Sequence, residues 1–116
     1  MQLVVIKFEG EIEKNVLKKH IQSGEIPVIF TGDDLTAVEI AYSVGAERCV
    51  FYKKEGGIFI FKNGKRFKIK EITYDKMHSI FKDKAIEKAS ELGIKIEIRS
   101  TISEDYSTVK GYVSHL

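Results

Sequence analysis

The sequence predicts a three-layer α/β domain in which a mostly parallel sheet is flanked by helices and carries an antiparallel hairpin. Apolar segments of strand length alternate with amphipathic helical segments over the first half of the chain, which is typical of strand–helix–strand units with right-handed crossovers. Asn63-Gly64, between two β-rich segments, is a strong signal for a two-residue hairpin turn. A length of 116 residues, of which 43% are apolar and 31% charged, fits a single domain spanning residues 1–116.

Three strands and two helices are predicted in the first half of the chain. Residues 3–8 form an apolar run interrupted only by Lys7, as expected of a strand covered on both faces. A helical stripe of apolar residues then runs from Glu11 to Ser23 and stops at Gly24. The other elements predicted here are a short buried strand at 26–30, a helix that opens at 32–34 and continues to Val44, and a buried strand at 48–52.

The second half of the chain is predicted to hold the hairpin, one long helix and two further strands. Residues 74–92 have the pattern of a single helix that ends at Gly93. Residues 94–99 alternate strictly between apolar and polar side chains, which predicts a strand with one solvated face. The remaining predicted strands are 58–61 and 66–69, which flank the hairpin turn, and a last strand near 108–113.

The cysteine content, hydropathy and charge narrow the class of protein. Cys49 stands alone in an apolar run, so we interpret it as a buried hydrophobe in a cytoplasmic protein without disulfides. No stretch approaches the ~18 apolar residues of a membrane span, and a net charge of +2 does not by itself indicate a nucleic-acid partner. The composition, rich in Lys, Glu and Ile with one proline, is typical of thermophiles. His20, His78 and His115 lack the spacing of metal ligands, so no metal site is predicted.

Candidate ligand-binding residues follow from where the predicted strands end. In open α/β sheets, ligands bind at the carboxyl ends of parallel strands, beside helix N-termini. Three glycine-containing junctions meet this rule, namely 7–10, 31–34 and 53–57. None of them matches a Walker A or a dinucleotide-binding fingerprint, so the residues alone leave the ligand open.

Several motifs appear in an order that is informative when taken together. Residues 31–49 read TGDDLTAVEIAYSVGAERC, and the chain also contains VVIKFEG at 4–10, IPV at 26–28, EITYDKM at 71–77, AIEKA at 85–89 and IKIEIRST at 94–101. This set resembles the amino-acid kinase superfamily, and aspartokinases in particular, in collinear order over most of the chain. In that family a Gly-Ser-Asp-Thr-Thr-Ala helix start leads to a Leu-Gly-Ala-Asp/Glu-Arg-Cys turn and strand. The resemblance implies an amino-acid kinase-like core that assembles as a homodimer and binds Mg-ATP.

The resemblance implies roles for three side chains, and each also has a structural interpretation. Lys7 falls on the family's phosphate-neutralising lysine, although a charged residue at a strand end explains it equally well. Asp34 falls on an aspartate that orients lysines and substrate, but we favour a helix N-cap for Asp33 or Asp34. Lys82 falls near an ATP-contacting lysine, but we favour solvated helix surface. If the chain were catalytic, Lys7 and Asp34 would be the catalytic residues.

The departures from the family pattern argue against phosphoryl transfer. The family's Gly-Gly after the lysine is replaced by Glu9-Gly10, and both aspartates of the Tyr-Thr-Asp-Val-Asp-Gly-Val-Tyr strand are absent from residues 52–59. The long stretch that supplies much of the family's acceptor pocket is also missing. Phosphoryl transfer depends on positioning and on charge stabilisation around Mg²⁺. These losses together predict a pseudoenzyme.

We therefore expect a non-catalytic module that is derived from an amino-acid kinase core, binds a small anion or nucleotide, requires no cofactor and could serve regulation. One alternative is a minimal ATP-dependent phosphotransferase of the aspartokinase type. A second is a nucleic-acid binder that uses the basic hairpin 62–70, where cations alternate with Phe and Ile, although we favour a half-buried hairpin with a solvated lysine face. The predicted ligand-binding residues are Lys7, Gly10, Gly32, Asp34, Lys53, Lys54, Gly57 and Lys82.

Overall fold

The computed structural model of the protein describes residues 2–111. Among these residues, no helix is long and apolar enough to cross a membrane. The strands are β1 (Gln2–Phe8), β2 (Glu25–Phe30), β3 (Arg48–Lys53), β4 (Ile58–Lys62), β5 (Lys65–Ile69), β6 (Glu71–Thr73), β7 (Lys95–Ser100) and β8 (Tyr106–Lys110), and the helices are α1 (Lys14–Gln22), α2 (Asp34–Ser43), α3 (Tyr74–Ile80) and α4 (Lys84–Leu92).

The main sheet has six strands in the order β2-β1-β3-β7-β8-β6. The neighbours from β2 to β7 are parallel, whereas β8 runs antiparallel to β7 and parallel to β6. A separate antiparallel pair, β4–β5, turns through Asn63 and Gly64, which both have positive φ, at 53° and 76°. The predicted α/β architecture, with a mostly parallel sheet and an antiparallel hairpin, is therefore confirmed.

Helices cover the two faces of the sheet unequally. Apolar residues of α2, α3 and α4 pack on one face against the main core, in which Val5, Cys49 and Ile96 are fully buried. On the other face, Val16 and Leu17 of α1 pack over a smaller cluster contributed by β1 and β3. Beyond the part covered by α1, the second face continues onto charged side chains of β7.

The predicted single helix over 74–92 is wrong, because α3 ends at Ile80 and α4 begins at Lys84. Phe81 is extended between them, and the carboxylate of Asp83 accepts a hydrogen bond of 2.7 Å from the backbone N–H of Ala85. This N-cap gives α4 its own start. The break also lets both helices turn apolar residues, such as Met77 and Ile86, toward the same core.

Three strands differ from their predictions in exposure or extent. The strand predicted as buried at 26–30 is β2, a half-buried edge strand. Pro27 has no N–H to donate, and an edge strand tolerates this because one of its sides has no neighbouring strand. The last strand is Tyr106–Lys110, and predicted positions 112 and 113 lie outside the described residues. The sequence also did not predict β6, which is only three residues long.

The solvated face predicted for the 94–99 strand is wrong at its centre. Lys95 and Arg99 retain some exposure, but Glu97 is only 4% exposed. A buried carboxylate requires partners, and Glu97 finds them in cations on β3 and on its own strand. The polar face of β7 is therefore a packed ionic layer.

Candidate functional site: two charged clusters on opposite faces of the sheet

The first cluster lies at the carboxyl edge of the parallel strands. Lys7 is near the end of β1, Lys53 ends the adjacent strand β3, and Asp34 is the first residue of α2. Lys7 Nζ lies 2.5 Å from Asp34 Oδ1, and Lys53 Nζ lies 4.0 Å from Asp34 Oδ2. Both lysines project on the face that α2 covers, since Val5 and Phe51 on the same strands and the same side belong to the main core. Three of the predicted residues therefore form one cluster.

The start of α2 assigns different roles to two adjacent aspartates. Asp33 is the N-cap, and its Oδ1 accepts a hydrogen bond of 2.7 Å from the backbone N–H of Thr36. That hydrogen bond, together with the nearby charge of Lys7, lowers the pKa of Asp33. The N-cap predicted at Asp33 or Asp34 is therefore Asp33, and the carboxylate of Asp34 is directed to the two lysines.

The lysine–aspartate cluster, defined as Lys7, Asp34 and Lys53, has the chemistry of an anion site. Two ammonium groups face one carboxylate beside a helix N-terminus, where the backbone dipole favours negative charge. The cluster fits an Mg²⁺ ion less well, because Asp34 already pairs with two cations. Within the described residues, no group of three or more His, Cys, Asp and Glu side chains could hold a metal ion.

The predicted glycines are placed for different reasons. An added Cβ at Gly32 would lie 2.4 Å from the ring of Phe30, so Gly32 allows that ring to pack below the start of α2. Gly57 has a φ of 115°, which favours glycine, and lies against Lys68 and Ser107 at the base of the hairpin. An added Cβ at Gly10 would meet no atom within 4 Å, so Gly10 borders open space.

The other two predicted lysines do not join the lysine–aspartate cluster. Lys54 follows β3 with an exposed side chain, and its backbone carbonyl accepts a hydrogen bond of 3.3 Å from Ser100 Oγ. Lys82 lies in the exposed turn between α3 and α4. No ion pair within residues 2–111 connects Lys82 to the cluster. The loop after β3 therefore contributes Lys53 alone to the paired group.

Ser107 attaches the hairpin to the main sheet. This fully buried serine accepts a hydrogen bond of 2.8 Å from the backbone N–H of Ile58 and donates one to the carbonyl of Ile69. Beyond that base, Arg66 lies over the ring of Phe59, 4.2 Å from its centroid. The outer part of the hairpin is exposed and carries both lysines and aromatic rings, including Phe61 and Phe67.

The second cluster lies on the opposite face, near α1, and was not predicted from the sequence. His20, only 5% exposed, hydrogen-bonds through Nε2 to the hydroxyl of Tyr52 at 2.7 Å and through Nδ1 to Oε1 of Glu25 at 2.8 Å. The other carboxylate oxygen of Glu25 accepts a hydrogen bond from Nη1 of Arg48. The sequence features that could have indicated this cluster were an arginine at the start of β3 and the alternating charges of β7.

Glu97 extends this cluster across the sheet. Its Oε2 lies 3.1 Å from Nε of Arg48. Its Oε1 accepts a hydrogen bond of 2.9 Å from Nε of Arg99 and lies 2.8 Å from Nη2 of the same side chain. Arg99 also lies over the ring of Tyr106, 4.1 Å from its centroid. We call this connected chain of polar contacts the polar relay. Its members, in order, are Tyr52, His20, Glu25, Arg48, Glu97 and Arg99.

The environment shifts the pKa values of several buried groups. The hydrogen bond from Arg48 lowers the pKa of Glu25 to about 2, against the opposing effect of burial and with help from His20. Burial raises the pKa of the Tyr52 hydroxyl. Burial also raises the pKa of Cys49 to about 12, with a contribution from the Asp34 charge. Cys49 is fully buried, as predicted, and is a thiol at neutral pH.

Comparison with known proteins is consistent with this architecture. Residues 6–102 match the Amino acid kinase family. An aspartokinase from Geobacillus stearothermophilus is 31% identical over 120 residues, covering 92% of this chain and 27% of that protein. The fold is similar to that of aspartate kinase from Synechocystis, with a TM-score of 0.64 and 22% identity over 86% of this chain and 21% of that chain. It is also similar to that of UMP kinase from Ureaplasma parvum, with a TM-score of 0.61 and 13% identity over 94% of this chain and 60% of that chain.

The extent of these matches limits what they establish. The chain spans 27% of the aspartokinase relative, so the activity of that longer protein does not transfer with the match. The family match nevertheless runs from β1 to the segment after β7, which includes both lysines of the lysine–aspartate cluster and the start of α2. On the combined strength of that match, the relative's identity and the fold, this chain belongs to the amino acid kinase family.

Proposed function

We propose that this protein is a non-catalytic binding module that holds a small anion or the phosphates of a nucleotide at the lysine–aspartate cluster. The observation that carries the proposal is the convergence of Lys7 and Lys53, from adjacent strand ends, on Asp34 at the start of α2. Strand ends beside a helix N-terminus are the usual position for phosphate in open α/β sheets.

The charge balance of the cluster supports an anionic ligand. Two ammonium groups share one carboxylate, which leaves one positive charge for a ligand to neutralise. The side chain of Lys7 is 20% exposed and that of Lys53 is 38% exposed, so an anion can reach both without unfolding α2.

The proposed absence of catalysis rests on what is missing around the same cluster. Asp34 is occupied by two lysines, and the nearby Glu9 and Glu55 are exposed rather than gathered with it. Phosphoryl transfer from Mg-ATP requires Mg²⁺ and the acceptor to be positioned against the phosphates. If Mg-ATP bound, Lys7 and Lys53 would hold its phosphates and the nucleotide would bring its own Mg²⁺.

Thermal unfolding with ligands tests the proposal. The chain would be melted alone and with millimolar Mg-ATP, ADP or aspartate as separate arms. A ligand at about 100 times its dissociation constant stabilises the folded state by about 2.7 kcal/mol, which is a shift of several degrees for a domain of this size. We expect that shift with the phosphate-bearing ligands.

A pair of lysine variants gives the test its specificity. Lys7→Ala should markedly reduce the shift induced by Mg-ATP or ADP, whereas Lys76→Ala, at an exposed lysine in the first turn of α3, should leave it unchanged. The proposal fails if no ligand shifts the unfolding of well-folded wild-type protein. It also fails if Lys7→Ala responds to ligand as the wild type does.

The runner-up is a minimal ATP-dependent phosphotransferase, which the family membership favours. It predicts ADP formation from Mg-ATP in the presence of a carboxylate or phosphate acceptor, at a rate that Lys7→Ala and Asp34→Asn remove. A coupled ADP assay with both variants separates the two functions, because a binding module produces no ADP above background.

The outer hairpin favours a further candidate, which is nucleic-acid binding. Phe61 is 76% exposed beside the cations Lys62 and Arg66, and bases stack on exposed aromatic rings in many single-strand binders. Binding of labelled single-stranded RNA or DNA that weakens steeply with added salt, and is lost in Phe61→Ala, would support this function.

The proposal includes self-association as a homodimer, which the family resemblance implies. Sedimentation equilibrium over a range of protein concentrations measures it directly. A mass that stays at that of one chain, 13.2 kDa, at every concentration would remove the dimer from the proposal without affecting the anion site.

A further inference from the structure

A polar cleft lies on the opposite face of the sheet from the lysine–aspartate cluster. Helix α1 covers only the β1 and β3 part of this face, and the register of β3 with β7 continues the face through Val50 to Glu97 and through Tyr52 to Arg99. The cleft encloses about 550 Å³ between α1, the sheet and residues 101–104 after β7. That volume is within the range of small-molecule sites.

The floor of the cleft is rigid and charged. It is lined by His20, Arg48, Tyr52 and Arg99, all members of the polar relay. His20 and Tyr52 are each no more than 5% exposed, so their positions are set by packing as well as by hydrogen bonds. A binding site needs this kind of support to hold its ligand-contacting groups in a single geometry.

The rim of the cleft is closed by one exposed ion pair. Lys19 Nζ on α1 lies 3.0 Å from Oε1 of Glu104 in the segment after β7. Both side chains are largely exposed, and such pairs contribute little stability. Lys19 can therefore exchange Glu104 for a ligand at little energetic cost.

The two guanidinium groups of the cleft are paired but still have unused hydrogen-bond donors. Arg48 and Arg99 line the cleft, and both pair with Glu97, while Arg48 also pairs with Glu25. These two arginines and two carboxylates balance in charge, and the exposed Lys19–Glu104 pair adds no net charge. Each guanidinium carries more N–H donors than these carboxylate contacts use. Unused N–H donors are therefore what the cleft offers to a ligand.

We propose that this cleft is a second ligand site, separate from the lysine–aspartate cluster, which binds the oxyanion of a small organic carboxylate or phosphate through Arg99 and Arg48. Planar guanidinium groups bind both kinds of oxyanion in a bidentate manner. Val16 and Ile102 on the walls supply apolar contact for the carbon skeleton of the ligand. The site lies on the α1 face, so its occupancy does not require Lys7.

NMR titration of the ¹⁵N-labelled chain tests this site directly. Separate arms would use sodium phosphate and sodium succinate, with sodium chloride at matched ionic strength as the control. We expect saturable shifts at the amides of 19–23 and 100–104 with at least one oxyanion, and none of that pattern with chloride. The arm that saturates identifies phosphate or carboxylate as the ligand chemistry.

Variants separate this site from the lysine–aspartate cluster. Arg99→Gln should weaken oxyanion binding at the cleft about tenfold, since it removes a charge-assisted, bidentate contact. Lys7→Ala should leave the cleft shifts unchanged. Arg99→Lys retains the charge without the planar fork, so it should weaken binding less than Arg99→Gln, and it serves as the folded substitute if Arg99→Gln loses its native spectrum.

Two results would overturn the second site. One is the absence of saturable shifts at 19–23 and 100–104 in folded wild-type protein with either oxyanion. The other is wild-type affinity at those amides in a folded Arg99 variant. Shifts confined to residues around Lys7 and Lys53 would count against the cleft while supporting the first site, so failures of the two proposals are distinguishable.

Discussion

Lys7 Nζ lies 2.5 Å from Oδ1 of Asp34, so a salt bridge joins the end of β1 to the first turn of α2 across 27 residues of chain. Their side chains are 20% and 29% exposed, so the pair is partly screened and still open to a competing anion. Because Asp33 takes the capping role, the carboxylate of Asp34 is available to pair with the lysines. The two adjacent aspartates can therefore be tested separately.

Substitution of each aspartate should have a different effect. Asp33→Ala removes the N-cap of α2 and should lower the free energy of unfolding, with little change in anion affinity. Asp34→Asn removes a carboxylate that competes with ligand for Lys7 and Lys53, so phosphate affinity should rise by roughly threefold. Urea unfolding and calorimetric titration with phosphate measure the two effects. Weaker phosphate binding by folded Asp34→Asn would contradict the competing role of Asp34.

The polar relay predicts a specific dependence of stability on pH. Arg48 and His20 lower the pKa of Glu25 from 4.5 to about 2 in the folded state. The unfolded chain thus takes up the proton first as pH falls, so the stabilisation is fully present above about pH 4.5 and is lost as pH falls toward 2. Glu25→Gln should be less stable than wild type by roughly 2–3 kcal/mol at pH 7, with a difference that shrinks over that window.

Urea unfolding at a series of pH values from about 7 to about 2.5 measures this effect. Glu104→Gln is the matched control, because Glu104 forms an exposed pair with Lys19 and should change stability by less than about 1 kcal/mol at any pH. A Glu25→Gln deficit that stays constant over the whole series would show that its cause is lost packing rather than the shifted carboxyl.

Ser107 is predicted to control the attachment of the hairpin. Ser107→Ala leaves the backbone N–H of Ile58 and the carbonyl of Ile69 without this buried partner, which should reduce stability by roughly 1–3 kcal/mol. Amide exchange at Ile58 should also become faster than in wild type. Ser79→Ala, at an exposed helical serine, should stay within about 0.5 kcal/mol. Unchanged exchange at Ile58 in Ser107→Ala would mean that the hairpin is held by its apolar base alone.

The loop between β3 and β4 should tolerate no side chain at Gly56. An added Cβ there would lie 2.0 Å from the backbone N of Ser100 and 2.2 Å from the carbonyl carbon of Arg99, and neither backbone can yield cheaply. Gly56→Ala should therefore lose roughly 1–3 kcal/mol of stability. Gly10→Ala, where an added Cβ meets no atom within 4 Å, is the control and should be nearly neutral. Equal melting temperatures for the two variants would contradict the close packing of this loop on β7.

Much of the fold could be predicted because its signals are local. Strand-length apolar runs, the Asn63-Gly64 turn and Gly93 as the left-handed helix end depend on neighbouring residues only. The same locality explains the single helix predicted over 74–92, since the pattern of apolar residues continues through the break. The pattern of apolar residues shows neither the N-cap at Asp83 nor the packing of α3 beside α4.

The candidate site was predicted in part, for a related reason. Lys7 lies near the end of a predicted strand, Asp34 and Lys53 each follow one, and the rule for parallel sheets brings strand ends to one edge. Lys82 and Lys54 satisfied the same rule or the family resemblance, but their side chains are exposed and outside the paired group. A position near the carboxyl edge of the sheet identifies candidate ligand-binding residues. Whether their side chains pair depends on the face of the sheet on which each one lies.

The sequence by itself determined the alternation of strands and helices, the hairpin turn and the family of this protein, because these depend on residues close together in the chain. Only the tertiary structure decided that Glu97 is buried, that Asp34 pairs with lysines and that His20, Glu25 and Tyr52 meet beneath α1. Those contacts join residues on different strands and helices. Their energies depend on desolvation and on partners that are set by strand order and register, which no local pattern encodes.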